Sequence, residues 1–232
     1  MDSRWQPPAV RAFELFFRPW RDARVRTRVA GLPRALPEGV PLLLAANHVS
    51  WWDPFTLREV QRALRPTAPF FTVMLEAELA RRPFFRRLGV VGLDPASPAS
   101  LRACIRQLRR LLDAHPDGSV CFFPQGRIWP SFKRPLAFRP GIGLLARELA
   151  PLLVLPVGLH VEPLSATRPT VFASAGPLIV DSHLDPTELE TAVEREADAI
   201  LAFLSRHGEN APRHWPGPHG RLPEARLMAE AR

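Results

Sequence analysis

The sequence predicts an α/β fold with a mostly parallel central sheet flanked by helices, preceded by an N-terminal amphipathic helical segment. The first observation behind this prediction is that short apolar segments alternate with longer segments of helical periodicity. The second is that polar residues directly follow two of the apolar segments, as they do at the functional edge of a parallel sheet. The predicted strands cover residues 41–46, 90–93, 119–123, 152–161 and 170–174.

The N-terminal stretch of residues 9–24 is predicted to be an amphipathic helix, which Pro19 should kink or end. An aromatic stripe with arginines around it is typical of a helix at a membrane interface and also of a helix that packs on the main domain. The sequence leaves both interpretations open. The aromatic residues with helical spacing are Phe13, Phe16, Phe17 and Trp20.

The other helices are predicted from periodicity and from their start and stop signals. Ser100 is expected to cap one of them, and Asp185 followed by Pro186 is a favourable start for the last. The predicted helices cover residues 54–64, 74–88 with a break at Pro83, 101–114, 141–150 and 186–207.

Three segments are expected along the chain. Residues 1–30 form the N-terminal amphipathic helical segment, residues 31–207 the main domain, and residues 208–232 a tail rich in Pro and Arg. Because the composition of the tail offers little apolar surface to bury, we expect it to be a poorly packed extension.

The net charge of the chain favours anionic partners but does not identify which kind. The 232 residues include 31 Lys and Arg against 23 Asp and Glu, which gives a net charge of +8 at pH 7. Such a balance favours a nucleic acid, an anionic membrane surface or an anionic substrate.

The apolar segments and the cysteines indicate where the protein acts. The longest apolar runs, residues 40–46 and 151–159, are well short of the ~20 residues that a membrane-spanning helix needs. Cys104 and Cys121 form no CxxC pair, and no secretory pattern opens the sequence. We therefore expect a cytoplasmic protein that is soluble or peripheral to a membrane.

A histidine and an aspartate directly follow the first long apolar segment. In the sequence NHVSWWD, His48 comes at the end of the predicted strand and Asp53 lies five residues further on. A carboxylate that accepts a hydrogen bond from one imidazole nitrogen fixes the tautomer and leaves the other nitrogen free as a base. The pair is therefore a candidate catalytic base with its orienting carboxylate.

This motif and three later blocks resemble the glycerolipid acyltransferases, the lysophospholipid or PlsC-like family. The order and spacing of the four blocks also match, over roughly residues 41–174. They are Asn-His-x4-Asp at 47–53, Phe-Pro-Gln-Gly at 123–126, Phe-Arg-Pro-Gly at 138–141 and Leu-Pro-Val at 155–157.

The resemblance implies a reaction. His48, oriented by Asp53, would deprotonate a hydroxyl of a lysophospholipid or other lipid acceptor, which attacks a fatty acyl thioester on coenzyme A or acyl carrier protein. No covalent acyl-enzyme, resident cofactor or metal is implied, and the protein would work on the inner face of a membrane with an anionic surface. The substrate-binding residues carried over from the family are Asn47, Phe123, Pro124, Gln125, Gly126 and Arg127.

Three positions depart from the family pattern. The family's glutamate is Gln125, and its two phosphate-reading arginines correspond to Pro95 and Ile128, with Arg127 one place away from the second. Neither Pro nor Ile can make the bidentate contact that Arg makes to a phosphate. A phosphate-bearing acceptor such as glycerol 3-phosphate is therefore in doubt, and a less anionic lipid hydroxyl becomes plausible.

Two rival functions remain. The departures at Gln125 and Pro95 favour an inactive, acyltransferase-like lipid-binding module, whereas the intact His48 and Asp53 argue against it. The basic charge alone suggests nucleic-acid binding, but no recognition module is visible, and we expect no nucleic acid among the partners.

Overall fold

The computed structural model describes residues 3–180 and 184–223. It has a single seven-stranded sheet with the strand order β1-β7-β6-β2-β5-β3-β4. All neighbouring strands are parallel except β6 and β7, which are antiparallel. The strands are β1 (Arg26–Ala30), β2 (Leu42–Ala46), β3 (Phe70–Leu75), β4 (Val90–Leu93), β5 (Ser119–Phe122), β6 (Leu153–Glu162) and β7 (Thr170–Ala175).

Helices connect most of the strands, so the predicted α/β fold is confirmed. They are α1 (Pro7–Asp22), α2 (Asp53–Leu64), α3 (Glu76–Arg81), α4 (Pro98–Ala114), α5 (Gly141–Leu149), α6 (Pro186–His207) and α7 (Ala211–His214), with short 3₁₀ turns at Pro83–Arg87 and Gly208–Asn210. Within the described part of the chain, no helix is both long enough and apolar enough to cross a bilayer.

The strand β2 lies in the middle of the sheet and is completely buried. Its successive side chains enter two different clusters of the core, as the pleat of a strand requires. Leu43 and Ala45 pack in a cluster with residues of α4 and α5, whereas Leu42 and Leu44 pack in a cluster with residues of α2. Two layers of helices therefore fix this strand from both sides, and with it the position of the residues that follow it.

At the N-terminal end of the chain, the structure decides one prediction and corrects another. The helix α1 continues through Pro19 to Asp22, so Pro19 does not end it. The segment 1–30 is not helical throughout, because Arg26–Ala30 form the edge strand β1, which pairs with β7. The edge position explains why the strand was missed, since one face of β1 carries exposed arginines rather than apolar residues.

Two further corrections concern the centre of the chain. The stretch 74–88 breaks at Pro83 as predicted, but its first residues belong to the strand β3, which ends at Leu75. The helix α4 is capped by the hydroxyl of Ser97, which accepts the N–H of Ser100, so the cap lies three residues before the predicted one. Ser100 uses its own hydroxyl to bind the N–H of Asp94.

The tail is packed where the structure describes it, contrary to the prediction. Trp215 is buried against Phe172 and Phe203, with ring centroids 5.0 and 5.3 Å away. The backbone N–H groups of Gly31 and Leu32 donate to carbonyl groups of residues 218–220. Aromatic burial therefore outweighs the polar composition of this segment, while residues 224–232 lie outside the described part of the chain.

Candidate active site

His48 and Asp53 meet at the carboxyl end of β2. The Nδ1 atom of His48 lies 2.8 Å from Oδ2 of Asp53, which is the first residue of α2 and is fully buried. The imidazole ring also stacks on Phe123, with ring centroids 4.2 Å apart and an angle of 15° between the planes. With Nδ1 directed to the carboxylate, Nε2 is the nitrogen left to accept a proton from a substrate.

The carboxylate of Asp53 is held by three further donors. The backbone N–H groups of Val49 and Ser50 donate to Oδ2 at 2.6 and 2.8 Å, and the hydroxyl of Ser50 donates to Oδ1. All of these contacts use an oxygen as the acceptor, which is the arrangement expected of an ionised carboxylate. Asp53 therefore caps the turn before α2 and orients the imidazole at the same time.

Gln125 supports the histidine from the neighbouring strand. It follows β5, which pairs in parallel with β2, and its Oε1 accepts the backbone N–H of His48 at 2.6 Å. Its side chain is nearly fully buried, with 4% of the residue exposed, and does not line the adjacent cavity. The role that the geometry gives Gln125 is therefore to fix the backbone of His48.

Asn47 is likewise directed away from the cavity. It is completely buried, its Nδ2 donates to the carbonyl of Leu159 at 2.9 Å, and its Oδ1 accepts the N–H of Leu159 at 2.7 Å. Both ends of the side-chain amide are thus bound to one residue of β6. Asn47 holds β2 against β6 at the point where the chain turns into the site.

The remaining residues of the Phe-Pro-Gln-Gly-Arg block line the cavity. Phe123, Pro124, Gly126 and Arg127 all contribute to its wall. Gly126 has a φ of +70°, and a side chain there would come within 3.3 Å of Nε of Arg139. The guanidinium of Arg127 lies 4.1 Å above the ring of Trp129, whose backbone N–H donates to the carbonyl of His48.

An apolar cavity of about 820 Å³ opens beside His48. Its walls come from α1, α2, β3 and the 3₁₀ turn as well as from the ends of β2 and β5. Aromatic side chains form much of the surface, among them Phe13, Trp51, Phe55, Phe70 and Phe85. Pockets of this size and character bind ligands with a large apolar part.

The helix α1 forms one wall of this cavity, which the sequence did not predict. Phe13 stacks on Phe17, and Phe17 lies 4.2 Å from Phe55 of α2 between ring centroids. On the other side of α1, Leu15 and Phe16 are exposed, Phe16 to 77%. One side of the helix therefore packs on the domain, as one of the two interpretations predicts, whereas the exposed side leaves contact with a membrane as a prediction.

Ion pairs bind α1 to α2 at the edge of the cavity. Arg21 of α1 lies 2.7 Å from Glu59, and Glu14 of α1 binds Arg58 at 2.9 Å and also Arg62. Burial raises the pKa of Glu59, but the hydrogen bond and charge of Arg21 outweigh it and leave the pKa below its usual value. Burial lowers the pKa of Arg58 despite its pairing with Glu14.

Neither cysteine has the character of a nucleophile. Cys104 and Cys121 are both buried in the core. Burial raises the pKa of Cys104 to about 12, and burial together with the charge of Asp53 raises the pKa of Cys121 well above its usual value. Over residues 3–180 and 184–223, no three His, Cys, Asp or Glu side chains are grouped as metal ligands.

Comparison with known proteins adds one match. A protein-family model described as Acyltransferase matches residues 27–160, which include the His48–Asp53 pair, the block after β5 and most of the sheet. No curated protein matched the chain.

Proposed function

The chain belongs to the acyltransferase family, and we propose that it moves a fatty acyl group from a thioester carrier to a hydroxyl of a lipid acceptor. The observation that carries this proposal is the contact between His48 and Asp53 beside a large apolar cavity. The carrier is coenzyme A or acyl carrier protein, and the acceptor is a lysophospholipid or another lipid with a free hydroxyl.

The reaction centres on Nε2 of His48. This nitrogen takes the proton from the acceptor hydroxyl as the oxygen attacks the thioester carbonyl, while Asp53 stabilises the charged imidazole through Nδ1. The tetrahedral intermediate then collapses, the carbon–sulfur bond breaks, and the thiol leaves with the proton from His48. The products are an ester and a free thiol, and no acyl group is bound to the protein at any step.

The cavity suits the acyl chain of the donor. Aliphatic chains gain about 0.8 kcal/mol for each methylene group that is removed from water, so an apolar wall binds them without specific polar contacts. With the chain in the cavity of about 820 Å³, the thioester would lie at the end that His48 occupies.

The acceptor would bind at the polar part of the wall. Arg127 and Arg139 both line the cavity. Arg127 follows Gly126 in the chain, and Nε of Arg139 would lie 3.3 Å from a side chain at Gly126. The positions of the family's phosphate-reading arginines, Pro95 and Ile128, also line the cavity but carry no charge. The two uncharged positions support a lipid hydroxyl whose headgroup is less anionic than a phosphate monoester, whereas Arg127 and Arg139 could still bind a negatively charged group.

The exposed aromatic and basic residues near the cavity support a membrane as the place of reaction. Leu15, Phe16, Trp20, Trp51 and Phe84 are exposed, and all lie on α1 or on segments that α1 contacts. Arginines surround them, which suits an anionic lipid surface. We propose that the protein works peripherally, on the cytoplasmic face of a membrane.

The test is release of free thiol from a long-chain acyl-CoA in the presence of lipid acceptors. Wild type and a folded His48→Ala variant are compared on lysophospholipids, glycerol 3-phosphate and neutral lipid alcohols. His214→Ala is the matched control, because His214 is exposed and does not line the cavity. We expect acceptor-dependent release that His48→Ala loses by at least a hundredfold and His214→Ala retains.

The alternative function is an inactive lipid-binding module with an acyltransferase fold. The absence of charge at Gln125, Pro95 and Ile128 favours it. If wild type releases no thiol with acyl-CoA or with acyl carrier protein on any acceptor, yet binds lipid vesicles, the transferase proposal is wrong and the binding module takes its place.

A further inference from the structure

Carboxylates of α6 hold the segment that leads into the cavity wall. Glu190, Glu194 and Asp198 are spaced by four residues and so lie on one face of the helix. Oε1 of Glu194 accepts the backbone N–H of Leu136 at 2.8 Å, and Asp198 pairs with the guanidinium of Arg134. The carboxylates on this face of α6 therefore all bind residues 134–138.

Glu190 makes the central contacts of this set. Its two carboxylate oxygens accept the backbone N–H groups of two consecutive residues, Ala137 at 2.7 Å and Phe138 at 2.9 Å. Bonds from a charged acceptor to backbone donors are stronger than bonds between neutral groups. A single side chain thus fixes the orientation of two adjacent peptide groups.

The segment adopts a backbone conformation that its sequence does not favour. Ala137 has a φ of +58°, in the left-handed region that is unfavourable for a residue with a side chain. Glu190 binds the N–H groups of Ala137 and Phe138 in this conformation, and these two bonds help to offset its cost. Without them, Ala137 would return to an ordinary conformation and move the residues that follow.

The residues that follow belong to the active-site wall. The backbone N–H of Arg139 donates to the carbonyl of Pro124 at 3.1 Å, in the block that carries Gln125. Arg139, Pro140 and Gly141 line the cavity, and Gly141 begins α5. The contacts thus run without a gap from α6 through Ala137 and Arg139 to the turn beside His48.

We propose that Glu190 is a positioning residue, which acts through Ala137 and Phe138 to set the place of Arg139 and the mouth of the cavity. This role rests on the proposed acyl transfer. In that reaction, the position of Arg139 would determine how tightly the lipid acceptor binds. Glu190 itself does not line the cavity or contact the catalytic pair.

The kinetic test compares Glu190→Ala with Glu188→Ala. Glu188 lies on the same helix and is exposed, and its side chain makes no hydrogen bond to another described residue, so it controls for the charge change. Glu190→Ala loses the charged hydrogen bonds that fix this part of the cavity wall. The KM for the lipid acceptor should therefore rise about tenfold. The value of kcat should stay within about twofold, because the catalytic pair is untouched.

A rescue variant separates positioning from mere destabilisation. Glycine adopts a positive φ without a steric cost, so Ala137→Gly in the Glu190→Ala background should recover at least half of the lost affinity. A variant that only lost folded protein would show lower kcat and an unchanged KM, and Ala137→Gly would not lower its KM. That pattern, or an equal change in Glu188→Ala, would overturn the proposal.

A second measurement does not depend on activity. Hydrogen exchange at the amides of Ala137, Phe138 and Arg139 should accelerate at least tenfold in Glu190→Ala and remain unchanged in Glu188→Ala. Unchanged exchange in Glu190→Ala refutes the positioning role even if transfer is active. If exchange accelerates in Glu190→Ala but wild type releases no thiol, Glu190 does hold residues 137–139 in place, and the proposed transferase function is wrong.

Discussion

The backbone N–H of His48 donates to the side-chain oxygen of Gln125 at 2.6 Å, which ties the end of β2 to the turn after β5. The two strands are parallel neighbours, with Ala45 opposite Phe122, so their carboxyl ends lie side by side. The backbone position of the histidine therefore depends on a residue that is 77 positions away in the chain.

The contact predicts different effects of two substitutions at Gln125. Gln125→Leu leaves the N–H of His48 without a partner and should lower kcat/KM about tenfold. Gln125→Glu retains an acceptor oxygen and should stay within about threefold of wild type at neutral pH. Steady-state kinetics on the preferred acceptor distinguish the two, and equal losses would refute the role given to this bond.

Asp53→Asn should abolish most of the activity without unfolding the protein. The imidazole and the N–H groups of Val49 and Ser50 all bind Oδ2, so the one oxygen of an amide could still accept from them. The amide carries no negative charge, however, and cannot stabilise the charged imidazole that forms when His48 takes up a proton. We expect kcat to fall by about 10²–10⁴. Circular dichroism checks the fold, and a folded Asp53→Asn with near wild-type kcat would exclude Asp53 as the orienting residue.

Asn47→Leu should act on stability rather than directly on substrate. The replacement leaves the buried N–H and C=O of Leu159 without partners, at a cost of about 1–3 kcal/mol for an unsatisfied buried group. Urea unfolding should therefore show a lower midpoint, while KM changes by less than about twofold. A large rise in KM at unchanged stability would instead assign Asn47 to substrate binding.

The cavity should limit the length of the acyl chain. Val73 of β3 lines its wall and is only partly buried, so Val73→Phe would fill space without a clash in the core. We expect kcat/KM for a hexadecanoyl donor to fall about tenfold relative to an octanoyl donor, since about two methylene groups would lose their contact. Equal effects on both donors would place the acyl chain elsewhere.

The pairing of Glu59 with Arg21 predicts a pH-dependent attachment of α1. Because the folded pKa of Glu59 lies below its ordinary value of 4.5, the pair stabilises the fold above that pH. This contribution disappears as the pH falls through the folded pKa and Glu59 takes up a proton. Wild type should thus exceed Glu59→Gln by about 1 kcal/mol in unfolding free energy at pH 7, and this difference should shrink as the pH falls below 4.5. A constant difference would contradict this.

The strands beside the site could be predicted because burial on both faces leaves a continuous apolar run. This holds for Leu42–Ala46 and Ser119–Phe122, which carry the site blocks at their ends. The strand Arg26–Ala30 could not be recognised, because an edge strand exposes its arginines. Phe70–Leu75 was missed because it continues into α3 without a turn signal.

The parts of the site that escaped prediction depend on contacts between distant segments. The sequence indicates His48 and Asp53 because they are local to one turn. It does not indicate that Asn47 and Gln125 direct their amides to backbone groups, since their partners lie 112 and 77 residues away. Nor does a stripe of aromatics on α1 reveal that Phe13 forms a cavity wall.

Because α1 lines the cavity but carries neither His48 nor Asp53, catalysis and the selection of the acyl chain would depend on different residues. The proposed catalytic pair lies at the end of a central strand, whereas α1 is bound to α2 through side chains of Glu14, Arg21 and a few aromatics. Substitutions confined to α1 could therefore change which acyl chain is accepted while the chemistry stays intact. Such a division would let related proteins diverge in substrate by exchanging a single helix.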